Sequence, residues 1–347
     1  MSQINMSVLF GTTAASNQSS PDNQAFDGMP LCSQSTRSRV LFVVVYSLVF
    51  LVGLLLNGVT LRVYLCGTGT SSSIGIYLKN LAAADFLLCL CLPIRIAYNT
   101  TDSAGVRLVF CNFGAATFYL NMYASILFMG YIAANRYFRI VHSSGRHLLQ
   151  SVRTARVASL VTWLVLLTIT SSYIILSLVT QQAPSPSDGT ASCSDLHSEQ
   201  LSLLYKVVHA VSATIFLLVF LALLFFYYSA SRRLAAAQQR RASSCGARRL
   251  AKARRKILVL VSVFCVCFLP YHLVRLPYAL IPRHYWCNVH YWKDVTVTLS
   301  AFNVCLDPLI YFLFCKAFRA QLRQKQHATD VDTCKKTSTC PSSTYKS

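Results

Sequence analysis

The apolar run from Lys256 to Tyr278 carries three residues suited to anion chemistry close to its end, His272, Arg275 and Tyr278. His272 and Arg275 are three apart and share a helical face, with Tyr278 about a third of a turn around. Lys293 begins the next apolar segment and would face them, and Arg95 lies near the end of an earlier one. An arginine fork matches phosphate oxygens in pairs, a lysine adds a point charge, and tyrosines stack on a base. A charge in such a run faces water, a counter-ion or a ligand. Two plainer readings stand beside this one. Arg275 snorkels to the lipid headgroups, or Lys293 pairs with Asp294 or Asp195 as an ionic lid.

A second set has the opposite character. Asn57, Asp85, Ser125, Asn303 and Asp307 all fall within apolar segments. Asn303 and Asp307 are four apart, hence on one helical face. Carboxylates at such depth are paired, protonated or bound to a cation, and a small hard cation such as sodium suits these oxygens. The alternative is a set of interhelical hydrogen bonds that only hold helices together.

The segments that carry these residues are membrane spans. Hydrophobic residues make up 54% of the chain and charged residues 12%. Seven apolar blocks, near 40–65, 74–98, 108–140, 153–179, 201–230, 255–281 and 292–314, each reach the roughly 20 residues that a bilayer core requires. The blocks are continuous rather than alternating, which predicts an all-α bundle of seven transmembrane helices and not a barrel. Lys316 to Arg323 is amphipathic and predicts a short eighth helix on the inner leaflet. The organisation expected is a polar N-terminal segment at 1–39, a helical domain at 40–315, and the amphipathic helix with a disordered tail at 316–347. The polar start contains no apolar core of a cleavable signal peptide.

Charge sets the orientation. The net charge of +21 is concentrated in the loop from Arg232 to Lys256 and in the tail after Lys316. Basic loops face the cytoplasm, so the N-terminus is expected outside, in a multi-pass plasma-membrane protein. Because the charge hugs the membrane ends, nucleic-acid binding is not expected. Three glycosylation sequons, at Asn5, Asn17 and Asn99, fall on the expected outer side. Of fourteen cysteines, Cys32, Cys111, Cys193 and Cys287 lie in or beside outer segments, and spacing alone leaves three pairings open. Cys315, Cys334 and Cys340 near the tail are either palmitoylated or free thiols. The spans contain no paired nucleophile and base and no metal-ligand spacing, so no enzyme is expected. The polar groups form an outer cup and a mid-bundle cluster rather than a channel-like path.

Several marks occur together and in order: Asn57, Leu81 to Asp85, Asn135-Arg136-Tyr137, Trp163, Cys267 to Pro270, and Asn303 to Tyr311 with Asp307-Pro308 inside it. Over roughly 38–326 the chain thereby resembles the rhodopsin-like (class A) G-protein-coupled receptors. Within them, His272, Arg275, Pro277 and Tyr278, followed by Lys293-Asp294, look like the purinergic nucleotide receptors. The similar branch is the Gi-coupled one that responds to ADP and UDP-sugars. Leu78 to Asn80, Phe118-Tyr119 and Met122-Tyr123 add to the likeness.

The resemblance implies a receptor that takes an extracellular anionic small molecule and acts on a heterotrimeric G protein, of Gi type, and on arrestin. Arg275, Lys293 and Tyr278 would hold phosphates, with Tyr119 against the base and His272 and Arg95 nearby. Cys111 would pair with Cys193, and Cys32 with Cys287. Asp85, Ser125, Asn303 and Asp307 would form an allosteric sodium pocket; no other cofactor is implied. Arg136 would meet the G protein when the sixth helix swings about Pro270, with Tyr227 and Tyr311 packing beside it. Asn135 stands where the family usually has Asp, which implies a looser hold on Arg136 and some basal activity. Tyr205 and His209 on the fifth span, and Ser171 to Tyr173 on the fourth, depart from the ADP receptor. The last stretch and Asn135-Arg136-Tyr137 resemble the platelet-activating-factor receptor, whose phospholipid ligand is the second expectation.

Overall fold

The computed structural model describes residues 36–66, 72–141, 150–180, 198–239, 244–280 and 286–314. The side chains at 65–66, 140–141, 244–247, 249, 276–280 and 286–290 lie outside that description. All described residues belong to one compact unit, Gln34–Ser347. They form α1 (Thr36–Cys66), α2 (Ser73–Thr100), the short α3 (Ala104–Val109), a π-helical turn (Phe110–Gly114), α4 (Ala115–Val141), α5 (Val152–Val179), α6 (Glu199–Gln239), α7 (Ser244–Leu280), α8 (Trp286–Ala301) and α9 (Asn303–Phe314). Among the described residues there is no strand. Seven helical stretches are long and apolar enough to cross a membrane, with α3 to α4 forming the third and α8 with α9 the seventh. The amphipathic segment Lys316 to Arg323 lies outside the described residues.

Burial ranks the helices. In the third span 61% of the most apolar window is buried, against 11% in α6. The third span is therefore the axis of the bundle, and α6 gives most of its surface to lipid. α4 supplies Met122, Ala124, Ile126, Phe128, Met129 and Ile132 to the core. Small residues let neighbours close on one another, as membrane helices require. A Cβ on Gly53 would lie 2.7 Å from Val304 and 2.8 Å from Cys89, so α1 meets α2 and α9 there through bare backbone.

Polar ties fix the register of the bundle. Pro308 lacks the N–H that would bond the carbonyl of Val304. Asn57 Nδ2 donates to that carbonyl at 2.7 Å, so a side chain of α1 replaces the missing helical bond. Trp163 Nε1 donates to Asn80 Oδ1 at 2.9 Å and pins α5 to α2.

Two departures from the expected spans bear on function. α6 and α7 run on to Gln239 and back to Ser244, past the expected ends at 230 and 255. Leu234, Ala235, Ala236, Ala237 and Gln238 are strong helix formers and carry α6 beyond the lipid. The seventh span is broken at Phe302 between α8 and α9, where Phe302 N bonds Leu299 O at 3.1 Å and Cys305 N bonds Phe302 O at 3.0 Å. The hydroxyls of Thr296, Thr298 and Ser300 bond to carbonyls three or four residues back, which loosens the preceding helix.

Candidate ligand cavity and mid-bundle pocket

A cavity of about 700 Å³ opens among α1, α2, α4, α5, α6, α7 and α8. That size suits a drug-sized ligand. Arg95, Tyr119, Arg275 and Lys293 all line it, so four residues singled out from the sequence converge there. Lys206 and Asp294 line it as well, giving four cations against one carboxylate among the described lining residues.

Each cation is held differently. Arg275 is buried, with 8% of its surface exposed. Its Nη2 donates to His209 Nε2 at 2.8 Å, and its guanidinium carbon stands 5.1 Å from the centre of the Tyr205 ring. Because a guanidinium only donates, His209 Nε2 is the acceptor; Nδ1 then carries the proton and donates to Tyr205 O at 2.8 Å. His209 is thus a neutral imidazole fixed in one tautomer. Arg95 sits among aromatic faces, 5.0 Å from the Tyr46 ring, 5.2 Å from Phe118 and 5.5 Å from Phe110. The π-helical turn brings Phe110 there, and Phe110 stacks on Tyr98 at 4.1 Å. Lys293 Nζ lies 3.7 Å from Asp294 Oδ1, a loose ion pair. Tyr119 stands edge-on to His209 at 5.8 Å and beside Tyr271 at 6.0 Å.

His272 is not among the lining residues. It is buried below the cavity floor, where Nδ1 donates to Phe268 O at 2.8 Å and Nε2 accepts from the Tyr123 hydroxyl at 3.1 Å. Its ring stacks on Phe216 at 3.7 Å. Tyr123, which does line the cavity, joins it to that space. The Tyr278 side chain lies outside the described residues. Sequence spacing put Tyr205 and His209 on the right helix, but their hold on Arg275 has no signal in spacing. Lys206 was missed because one lysine at a helix start reads as surface.

The mid-bundle pocket is closed. Asp85, Ser125, Asn303 and Asp307 are each fully buried. Asp85 Oδ1 accepts from Ser125 Oγ at 3.2 Å and from Asn303 Nδ2 at 3.3 Å, while Oδ2 accepts from the Tyr311 hydroxyl at 2.5 Å. Asn303 Oδ1 is buried without a hydrogen-bond partner among the described residues. The pocket therefore gathers oxygens in excess of donors.

At the far end of the bundle Asn135 Nδ2 donates to Ser73 Oγ at 2.9 Å. Arg136 stands 4.8 Å over the Phe314 ring, and Lys256 Nζ lies 5.1 Å from the same ring. Tyr137 stacks on Phe226 at 4.8 Å, and Tyr227 is half-buried against the core. In this conformation the Tyr311 hydroxyl serves Asp85 rather than packing beside Arg136. Pro270 and Pro308 lie within α7 and α9. Cys111 is disulfide-bonded. Cys32, Cys193 and the Cys287 side chain are outside the described residues, as are Asn5, Asn17 and the tail cysteines. The Asn99 amide donates to Arg95 O at 2.8 Å and borders the cavity.

Comparison with known proteins agrees with this architecture. Residues 56–311 match the family model described as 7 transmembrane receptor (rhodopsin family). Purinoceptor 14 of Bos taurus is 32% identical over 304 residues, covering 85% of this chain and 88% of the relative. Purinoceptor 14 of Rattus norvegicus is 35% identical over 288 residues, covering 80% and 92%. The platelet-activating factor receptor of Mus musculus is 30% identical over 294 residues, covering 82% and 85%.

Proposed function

Because this chain belongs to the rhodopsin family of seven-transmembrane receptors, in its purinoceptor branch, and is thus a multi-pass plasma-membrane signalling receptor that couples to G proteins, we propose that its activator is an extracellular nucleotide or a related phosphate-bearing molecule. One observation carries this reading: four cations and a single carboxylate are the charged groups among the described residues lining one partly enclosed cavity. A cavity with that surplus is best filled by an anion. Arg275 is aimed by His209 through one nitrogen, and a guanidinium carries further donors that can fork onto phosphate oxygens. Tyr119 is placed to meet a ring, as its edge-on neighbours suggest.

The G protein is of the Gi type in this reading, arrestin is the second cytoplasmic partner, and the N-terminus faces outside. The basic ends of α6 and α7 would also contact inner-leaflet lipids. Cys111 pairs with Cys193 and Cys32 with Cys287, and Asn5, Asn17 and Asn99 carry glycans. Asp85, Ser125, Asn303 and Asp307 hold sodium; the unpartnered Asn303 oxygen and two buried carboxylates support a hard cation there. Asn135 bonds Ser73, so its neutral amide adds no charge to restrain Arg136, and the unliganded receptor signals above background.

The test is inhibition of cAMP in cells expressing the receptor, challenged with ADP, UDP-sugars and lysophospholipids. A response to at least one phosphate-bearing ligand, lost in Arg275→Ala, is expected. Silence to all of them overturns the reading. A phospholipid mediator is the second reading, supported by the mouse platelet-activating factor receptor among the relatives.

A further inference from the structure

Arg136 lies near the end of α4 that is farthest from the ligand cavity, and no described carboxylate pairs with it. Of the acidic residues in the described segments, Asp85 and Asp307 belong to the mid-bundle pocket and Asp294 lines the cavity. Asp102 pairs with Arg39 just beyond the end of α2, and Glu199 opens α6. Asn135, next to the arginine in the chain, bonds Ser73. The Nε of Arg136 is buried without a hydrogen-bond partner among the described residues. A buried guanidinium in that position needs a compensating neighbour.

The neighbour is a ring. The guanidinium carbon of Arg136 stands 4.8 Å from the centre of Phe314, and Lys256 Nζ stands 5.1 Å from the same centre. A cation that close to an aromatic face is attracted by the ring quadrupole, most strongly where water is excluded. Phe314 keeps only 5% of its surface exposed. One side chain of α9 thus joins α4 to α7. Two cations at one ring also repel each other, which makes the tie weak. Lys256 lies about 21 Å along α7 from Pro270. A bend of α7 at Pro270 would carry that ammonium off the ring.

We propose that Phe314 is a positioning residue of the receptor's switch: its ring clamps Arg136 to Lys256 and keeps the far end of the bundle closed while no ligand is bound. The clamp does at Arg136 what an ion pair would otherwise do. It rests on coupling to G proteins and not on the nature of the ligand. Because the tie is weak, a fraction of receptors opens unaided, which gives basal signalling a physical source. A ring that merely filled space there would act through its shape alone, whereas a clamp acts through the charge distribution of its face.

The test uses the full-length receptor carrying mono-, di- and trifluorophenylalanine in turn at position 314, read as basal G-protein activation across the Gα classes at equal surface expression. Fluorine keeps the ring close to its own size and withdraws charge from its face. Basal activation is expected to rise with each fluorine. Phe314→Leu, which removes the ring, is expected to raise it about five-fold. Lys256→Met keeps the stem without the charge; it is expected to raise basal activation as well, and to add little in the trifluoro receptor. Activation that ignores fluorination, or falls along the series, overturns the clamp and leaves Phe314 as packing. Full additivity of Lys256→Met with the trifluoro ring overturns it too. Where Phe314→Leu fails to reach the surface, the fluorine series decides, because its members keep the shape of the native ring. No ligand enters the measurement, so silence to every phosphate-bearing ligand would sink the proposed agonist class and leave the clamp standing.

Discussion

The cavity at the Lys293 end and the pocket around Asp85 meet the cost of buried charge in opposite ways. The first collects four cations about one carboxylate and stays open, at about 700 Å³. The second sets two carboxylates among amides and hydroxyls, with every member fully buried. Neither is neutral by itself, and charge in an apolar bundle demands a partner. One region thus calls for an anion from outside and the other for a cation or a proton. Between them lies a layer of aromatic and imidazole groups, Tyr123, Phe216 and His272, closed by its own hydrogen bonds and stacking.

The contrast is broken most severely at Arg275. Replacing it with Ala removes charge-assisted hydrogen bonds to the ligand, and potency is expected to fall about 100-fold at equal surface expression. On the other side, Asp85→Asn is expected to abolish sodium-dependent stabilisation, seen as a melting temperature that no longer responds when sodium replaces a bulky organic cation. A variant still stabilised by sodium would assign the ion elsewhere. Lys293→Gln should cost less than Arg275→Ala, about ten-fold in potency, because Asp294 already offsets part of its charge. The smallest effect is expected at the boundary layer. His272→Phe keeps the stack on Phe216 and loses the bond to Tyr123, so potency should change by about three-fold or less. A large loss there would place His272 in contact with ligand and erase the boundary.

The legible and illegible parts of this molecule divide along physical lines. Long apolar runs are unmistakable because a bilayer demands them, and polar residues inside those runs stand out for the same reason. Asn57, Asp85, Asn303 and Asp307 therefore declare themselves, as does Arg275. Depth is harder to read. His272 and Arg275 share a face, but one lies a turn deeper, which is enough to put it beneath the floor rather than on the wall. Arg95 reads as a plain cation in the sequence, yet its aromatic surroundings come from three different segments, which no local pattern could assemble. The break at Phe302 follows hydroxyls that bond back to their own helix, and neither it nor the π-helical turn at Phe110 leaves a periodic trace.

The length of α7 carries a mechanical consequence. From Pro270 to Ser244 the helix reaches roughly 39 Å, more than a bilayer core is thick. Pro270 removes one rung of the ladder at the level of the boundary layer, beside His272 and just below Arg275. A bend at Pro270 would make the helix a lever, with its hinge just below Arg275 and its tip beyond the bilayer core. Each degree of bend at Pro270 moves that tip by roughly 0.7 Å. A small shift at Arg275 would by that geometry be magnified at the far end of α7.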